Sequence, residues 1–300
     1  MTDSIASPST PSSLRDEVAR QIYPAAALYV LATPIGNVGD ISMRALQVLE
    51  QCDAVACEDT RNTAQLMNRY GLHKPLIAAH QHNEREVAVK LVARLAAGER
   101  IVLVSDAGTP AVSDPGARIV DAVIAAGLRV IPIPGASAAI TLLSASGLTD
   151  ERFYFHGFLP AKARQRDTTL AGLRTLAATL VFYEAPHRIV ETVDALALAF
   201  DPARQIVFGR ELTKLFEQIH RCPLSEAPAW LAADANRQRG EFVLLVEGAA
   251  ADTDADTLEA QRILAILLAE CSVSQAASLA AQITGQKKNA LYEMALKMNG

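Results

Sequence analysis

"VSDAGTPAVSDPG", residues 104–116, follows an apolar run and sets two glycines, two prolines and two aspartates among small residues. The run that leads into it, "IVLVSD" at 101–106, reads as a buried strand, so the stretch begins at a strand's carboxyl end. In parallel sheets ligands bind beyond those ends, where loops alone decide shape. Gly108 and Gly116 permit backbone conformations and close approach that a Cβ blocks. Pro110 and Pro115 stiffen the loop, so little entropy is lost on binding. A ligand can then lie against backbone amides and carbonyls, and an ordinary proline-rich βα turn is the competing reading.

Outward from this loop, short β-rich runs alternate with amphipathic helical stretches. "LYVLAT", "DAVACE" and "LRVIPIP" read as further strands, with helices near 40–51, 60–70, 84–97 and 116–126. Strands separated by helices imply parallel βαβ units with helices on both faces. "RFYFHGF", "TLVFYEA", "QIVFGREL" and "GEFVLLVEG" form a second set, around helices near 164–176 and 187–199. The expected fold class is α/β, with an N-terminal α/β domain over 27–148 and a second over 149–250. Residues 251–300 turn alanine- and leucine-rich and read as a helical module. Residues 1–26 begin with Ser, Thr and Pro and are too poor in apolar groups to order, so a mobile tail is expected.

Two more loops of the same kind follow strands: "TPIGN" (33–37) after the first and "PIPGASAA" (132–139) after the fourth. Three glycine-and-proline loops would gather at one edge of one sheet. Ser137 is placed to cap the helix that starts there, leaving amides near a ligand. Neither G-x-G-x-x-G after the first strand nor G-x-x-x-x-G-K-[ST] anywhere is present, so dinucleotide and P-loop nucleotide binding are unsupported.

Composition narrows the class. The chain has 300 residues, half of them hydrophobic, with a net charge of −5. That argues against coating nucleic acid by bulk electrostatics. No apolar run approaches a membrane span and the N-terminus lacks a signal-peptide layout, so a cytoplasmic protein is expected. Cys52, Cys57, Cys222 and Cys271 form no C-x-x-C pair and read as reduced, packed thiols.

Together, "LYVLATPIGNVGDIS", "CEDTRNT", "HQHNE", "VSDAGTPAVSDPG", "PIPGASAAITLLSASGL", "FHGFLPAK", "RELTKLFE" and "GQKKNALYEMAL" resemble the ribosomal RNA small-subunit methyltransferase I family of the tetrapyrrole methylase superfamily. The resemblance covers about residue 27 to the C-terminus, in order. It implies methyl transfer from S-adenosylmethionine to the ribose 2′-hydroxyl of a cytidine in 16S rRNA. It further implies a cofactor cleft between two α/β domains, and a homodimer. Cofactor contacts carried over by position are Pro34, Ser105, Asp106, Gly108, Thr109, Ala136, Ser137, Ala138, Tyr183 and Leu212. A cationic sulfonium prefers nearby carbonyls or negative charge, and Asp106 is either that acid or a cap for its own loop or the next helix. A tetrapyrrole-precursor C-methyltransferase and a non-catalytic RNA-binding assembly factor are the alternatives.

Reaction at a ribose hydroxyl needs positioning and a route for the proton. The polar candidates are Glu58, Asp59 and Arg61 in "CEDTR" and His80, His82, Asn83 and Glu84 in "HQHNE". Glu58 and Asp59 are adjacent, so only one readily faces a given cleft. His82 titrates where a general base is useful. In the competing reading Asp59 caps the next helix, Arg61 pairs with it and the histidines bind backbone. "HQHNE" completes no recognised metal spacing, so no metal is expected. For RNA, Lys162, Arg164 and Arg166 sit where a loop enters a helix, in the chain's most basic stretch. Lys287, Lys288 and Asn289 open the last helix of a helix-turn-helix-like layout. The module's overall acidity would confine RNA contact to "QKKN", and a packing or dimer module is the other reading.

Overall fold

The computed structural model describes residues 13–250 and 253–299. The first sheet contains β1 (Ala27–Leu31), β2 (Ala54–Cys57), β3 (Leu76–Ala78), β4 (Arg100–Val104) and β5 (Arg129–Ile133), in the order β3-β2-β4-β1-β5. Every pairing is parallel. Connecting helices are α2 (Met43–Gln51), α3 (Thr60–Arg69), α4 (Glu84–Ala96) and α5 (Ala117–Ala125). Neighbouring strand residues divide between the faces: Tyr29, Val55 and Val102 join one apolar cluster, Leu28, Ala56 and Ile101 the other. Both faces are covered, which is why these strands read as continuous apolar runs. The chain leaves β1 for β2 and β3, returns to β4 beside β1, then crosses to β5 on β1's other flank. The loops after β4, β1 and β5 therefore lie side by side.

The second sheet contains β6 (Phe153–Phe158), β7 (Thr179–Glu184), β8 (Gln205–Arg210), β9 (Gln218–Pro223) and β10 (Phe242–Val246), ordered β6-β7-β10-β8-β9. Only β6 and β7 run parallel. One face buries Leu180, Phe182, Phe208 and Leu244 under α7 (Ala163–Leu173), α8 (Ile189–Ala199) and α9 (Ala227–Ala232). The opposite face, with Val181, Val207 and Val243, packs against Ala139 and Leu142 of α6 (Ala138–Ala145). Thus α6 belongs to the first half by chain order and to the second by packing. At Gly209 of β8 an added Cβ would stand 2.8 Å from the Leu142 methyls, so glycine sets how closely α6 approaches.

Four elements escaped the pattern reading: α1 (Leu14–Ala19), β3, β9 and α9. The tail expectation is corrected for residues 13–26. Ser13 and Asp16 form a capping box at the start of α1, Val18 is buried, and the Tyr23 hydroxyl donates to the Val18 carbonyl at 3.0 Å. Residues 1–12 lie outside the described residues. Strand β9 is polar, half-exposed and ends in proline, as an edge strand can be.

Helices α10 (Thr253–Leu268), α11 (Val273–Thr284) and α12 (Lys288–Asn299) form the C-terminal module around Leu264, Ala276, Ala280, Leu291 and Ala295. Ser272 and Gln275 make a capping box before α11, and Gly285, at φ 72°, ends it in the left-handed conformation and turns the chain into α12. All four cysteines are free thiols. No helix among the described residues is long and apolar enough to cross a membrane.

Candidate active site

The three loops predicted to converge are tied together by hydrogen bonds. Thr33 and Gly108 exchange backbone bonds of 2.9 and 3.0 Å, joining the loops after β1 and β4. The Thr109 hydroxyl donates to the Ala136 carbonyl at 3.2 Å, joining the loops after β4 and β5. The buried Ser105 hydroxyl donates to the Ala107 carbonyl inside the middle loop. Ala111 and Ser113 stand at φ 66° and 63°, where side chains crowd the backbone, so surrounding contacts hold this loop in a sparsely populated conformation.

A cavity of about 340 Å³ opens between these loops and the second sheet. Gly108, Thr109, Asp114, Ser137 and Ala138 line it from the first side; Tyr183, Gly209, Leu212 and Val243 line it from the second. Its size falls within the range of small-molecule sites. Six of the ten expected cofactor positions line this cavity: Gly108, Thr109, Ser137, Ala138, Tyr183 and Leu212. Pro34 is buried and its neighbour Ile35 takes the lining position, while Ser105 and Ala136 support the loops from behind.

Two expectations are corrected. Ser137 occupies the N-cap position of α6 but makes no side-chain cap bond; its hydroxyl meets the Tyr183 hydroxyl, to which the Ala139 amide also donates. Asp106 does not line the cavity. Its carboxylate accepts from the Asp59 amide at 3.1 Å and from Asn62 Nδ2 at 2.8 Å, fastening the start of α3. The acid of the quoted stretch that lines the cavity is Asp114, with Glu184 and Glu241 lining it from the second half. Burial raises the Asp114 carboxyl above the ordinary range, opposed by a hydrogen bond with Ser105. Phe158 and Lys214 also line the cavity without an isolated sequence signal.

The polar candidates separate sharply. Asp59 caps α3 through the Arg61 amide at 2.8 Å and pairs with the Arg61 guanidinium at 2.7 Å. These bonds hold its carboxyl down at about 2, far from the range of a useful base. Glu58 is half-buried, and burial together with the Asp106 and Asp114 charges pushes its carboxyl up, against the opposing pull of His80. The buried Nδ1 of His80 has no hydrogen-bond partner among the described residues. His82 is exposed, outside the cavity, and flanks a separate groove. In the rest of "HQHNE", Asn83 fastens its own turn to the Ala78 carbonyl, and the buried Glu84 carboxylate accepts the Gly116 amide at 2.5 Å.

Of the basic residues, Lys162 and Arg164 are exposed at the start of α7. Arg166 is corrected: it is buried beside α8, with Nη1 3.5 Å from the Glu191 carboxylate, and offers nothing to solvent. Lys287, Lys288 and Asn289 are exposed where α12 begins. Among the described residues no group of three or more His, Cys, Asp and Glu side chains is placed to hold a metal.

Comparison with known proteins agrees with this architecture. Residues 27–228 match the family model of tetrapyrrole (corrin/porphyrin) methylases, and 254–299 match the RsmI C-terminal HTH domain. Ribosomal RNA small subunit methyltransferase I of Pseudomonas aeruginosa is 49% identical over 278 residues, covering 92% of this chain and 99% of that protein. The protein of the same name from Escherichia coli O157:H7 is 47% identical over 273 residues, covering 91% and 96%. Among solved structures, the methyltransferase CobJ superposes with a TM-score of 0.57 at 20% identity over 74% of this chain and 94% of that one. Uroporphyrin-III C-methyl transferase from Thermus thermophilus, complexed with S-adenyl homocysteine, gives 0.52 at 18% identity, over 74% and 97%. With both halves, the interlocked loops and the terminal helices accounted for, this chain belongs to the tetrapyrrole methylases and, within them, to the ribosomal RNA small subunit methyltransferase I family.

Proposed function

We propose that the protein is a cytoplasmic, homodimeric enzyme that transfers a methyl group from S-adenosylmethionine to the ribose 2′-hydroxyl of a cytidine in the 16S rRNA of the small ribosomal subunit. The observation that carries this reading is the cavity between the halves, whose mainly apolar wall meets Asp114 on a strained and immobilised loop, while its other acids are engaged elsewhere, Glu184 with Thr192 and Arg188 and Glu241 with Lys214. The family relationship supports an rRNA substrate, and the terminal helix-turn-helix supports contact with nucleic acid.

The residues present suit the methyl donor. Small residues Gly108, Ala138 and Gly209 leave room for an aromatic base and ribose, and Asp114 offers negative charge to a cationic sulfonium. When bound, that group supplies a methyl carrying an already activated leaving group. Tyr183 and Ser137 both line the cavity and offer hydroxyls to what lies against its wall. Of the polar candidates, Glu58 is best suited to receive the hydroxyl proton, because its raised carboxyl is the stronger base of the adjacent pair.

The reading is tested by incubating the protein with labelled S-adenosylmethionine and small subunits from cells lacking it, then mapping the label. A ribose label on one 16S cytidine is expected. Label on a base, or transfer only to a tetrapyrrole precursor, would overturn the assignment. An assembled small subunit is expected to outperform a short oligonucleotide, since a cleft of this kind suits a splayed strand held by surrounding structure.

A further inference from the structure

A second depression, of about 380 Å³, lies beside the start of α4 and is lined by Gln81, His82, Asn83, Glu84, Arg85, Glu86 and Arg118. Its charges are unevenly committed. Glu84 is buried on the Gly116 amide, and Glu86 is paired with Lys90 at 2.6 Å. Arg85 and Arg118 are exposed, and among the described residues neither makes a hydrogen bond or ion pair. His82 stands beside them, its ring edge-on to that of His80 at 5.9 Å and 3.5 Å from Gln81 Nε2. The Asn83 side chain binds the Ala78 carbonyl and the His80 amide, so it does not cap α4, and the first turn of this 13-residue helix lines the same depression.

The groove is joined to the active-site cavity by one short segment. Asp114 lines the cavity, Gly116 is anchored to Glu84, and Arg118 lines the groove. Four residues span at most about 14 Å even when extended, the reach of a few nucleotides along a strand. Unpaired guanidiniums with uncapped helix amides recognise phosphate oxygens rather than a neutral group.

We infer that Arg85, Arg118, His82 and the amino end of α4 form a phosphate-binding groove that grips the RNA backbone beside the nucleotide presented to the cavity. This rests on the proposed RNA substrate and goes beyond it: the first domain itself then holds the strand near the reaction site, apart from the terminal helices. His82 is a positioning residue here, not the base.

The test compares wild type, Arg85→Ala/Arg118→Ala, Arg85→Lys/Arg118→Lys and the control Arg129→Ala, which alters an exposed residue at the amino end of β5, away from the loop edge. Binding to undermethylated small subunits is titrated across salt concentrations, KM for the subunit is measured, and affinity for S-adenosylmethionine is measured by calorimetry. The double alanine variant is expected to raise KM at least about tenfold and to flatten the slope of log affinity against log salt by about 1 to 2, as two lost phosphate contacts on a single strand require. Cofactor affinity stays unchanged, the lysine pair restores the slope, and the control matches wild type. An unchanged KM and slope overturn the groove, as does a raised KM with an unchanged slope, because the arginines would then release no counterions. The slope comes from binding alone, so loss of the groove and loss of the methyl-transfer assignment give different results.

Discussion

Each half of the molecule is built on five strands, but in one the strands all run one way and in the other most alternate. The parallel sheet sends the loops after β1, β4 and β5 to a single edge, where Thr33–Gly108 and Thr109–Ala136 bonds lock them together. The mixed sheet divides its strand ends between two edges and meets the cavity with Tyr183, Gly209 and Val243, residues of the strands themselves. The first half thus meets the cavity with loops and the second mainly with strand residues, to which Glu184, Lys214 and Glu241 add charge. Parallelism sets this division, because only it brings several loops to one place.

Four variants can break or sharpen that contrast. The largest effect expected is on stability, in the second half. Arg204 is buried over the Phe200 ring and donates to the Glu247 carbonyl at 2.6 Å and the Arg174 carbonyl at 3.3 Å. Arg204→Ala should cost about 2–4 kcal/mol, as several hydrogen bonds to a charged group are lost, while calorimetry with S-adenosylmethionine on the folded variant shows unchanged affinity. Weakened affinity would mean that the second half does more than form a wall.

Asp114→Asn should lower methyl transfer by about 10- to 100-fold, the equivalent of a charge-assisted interaction. Its pH behaviour gives an independent reading. Burial raises this carboxyl above its ordinary 3.8, so the folded protein holds the proton more tightly than the unfolded chain does. The resulting contribution to stability is present below 3.8 and is lost as pH climbs through the raised folded value. At neutral pH the asparagine variant should therefore melt higher than wild type, and the difference should close on acidification. A variant that melts lower at neutral pH would show that the charge stabilises the loop instead of straining it.

A smaller effect is expected from Ser137→Ala, which removes the hydroxyl facing Tyr183 across the two halves. One neutral hydrogen bond corresponds to a loss of about 2- to 10-fold in cofactor affinity. The smallest change per residue is expected from Lys287→Ala with Lys288→Ala. These should raise KM for small subunits a few-fold and reduce the salt slope by about 1 for each lysine, with cofactor affinity intact. A loss of cofactor binding would place the terminal helices against the active site.

The legibility of the molecule follows the same contrast. Strands β1, β2 and β4 were readable because burial on both faces leaves an apolar run between glycine and proline breaks, and β5, though at an edge, was readable from Val130, Ile131 and Ile133 ahead of its glycine-and-proline loop. Strands β3 and β9 also sit at sheet edges, but there polar residues such as the half-exposed Gln218 and the exposed Arg221 of β9 erase the signal. The three loops were likewise readable from backbone-permissive residues at strand ends. Which acid of the quoted stretch lines the cavity was not. Asp106 and Asp114 share one stretch with similar neighbours, and only the folded loop directs the first to Asp59 and Asn62 and the second to the cavity. Arg166 looked like Arg164 in sequence, yet the rotation of α7 buries it and leaves Arg164 in solvent.

By itself the sequence determined the alternation of strands and helices, the glycine-and-proline loops at the strand ends and the helix-turn-helix at the end of the chain, because these depend on local periodicity and backbone freedom. The tertiary structure alone decided the mixed order of the second sheet, the passage of α6 onto it, the division of labour between Asp106 and Asp114, and the pairing of His82 with Arg85 and Arg118 around one groove. Those features depend on side chains brought together from distant positions, and no local pattern records which of several similar residues will meet.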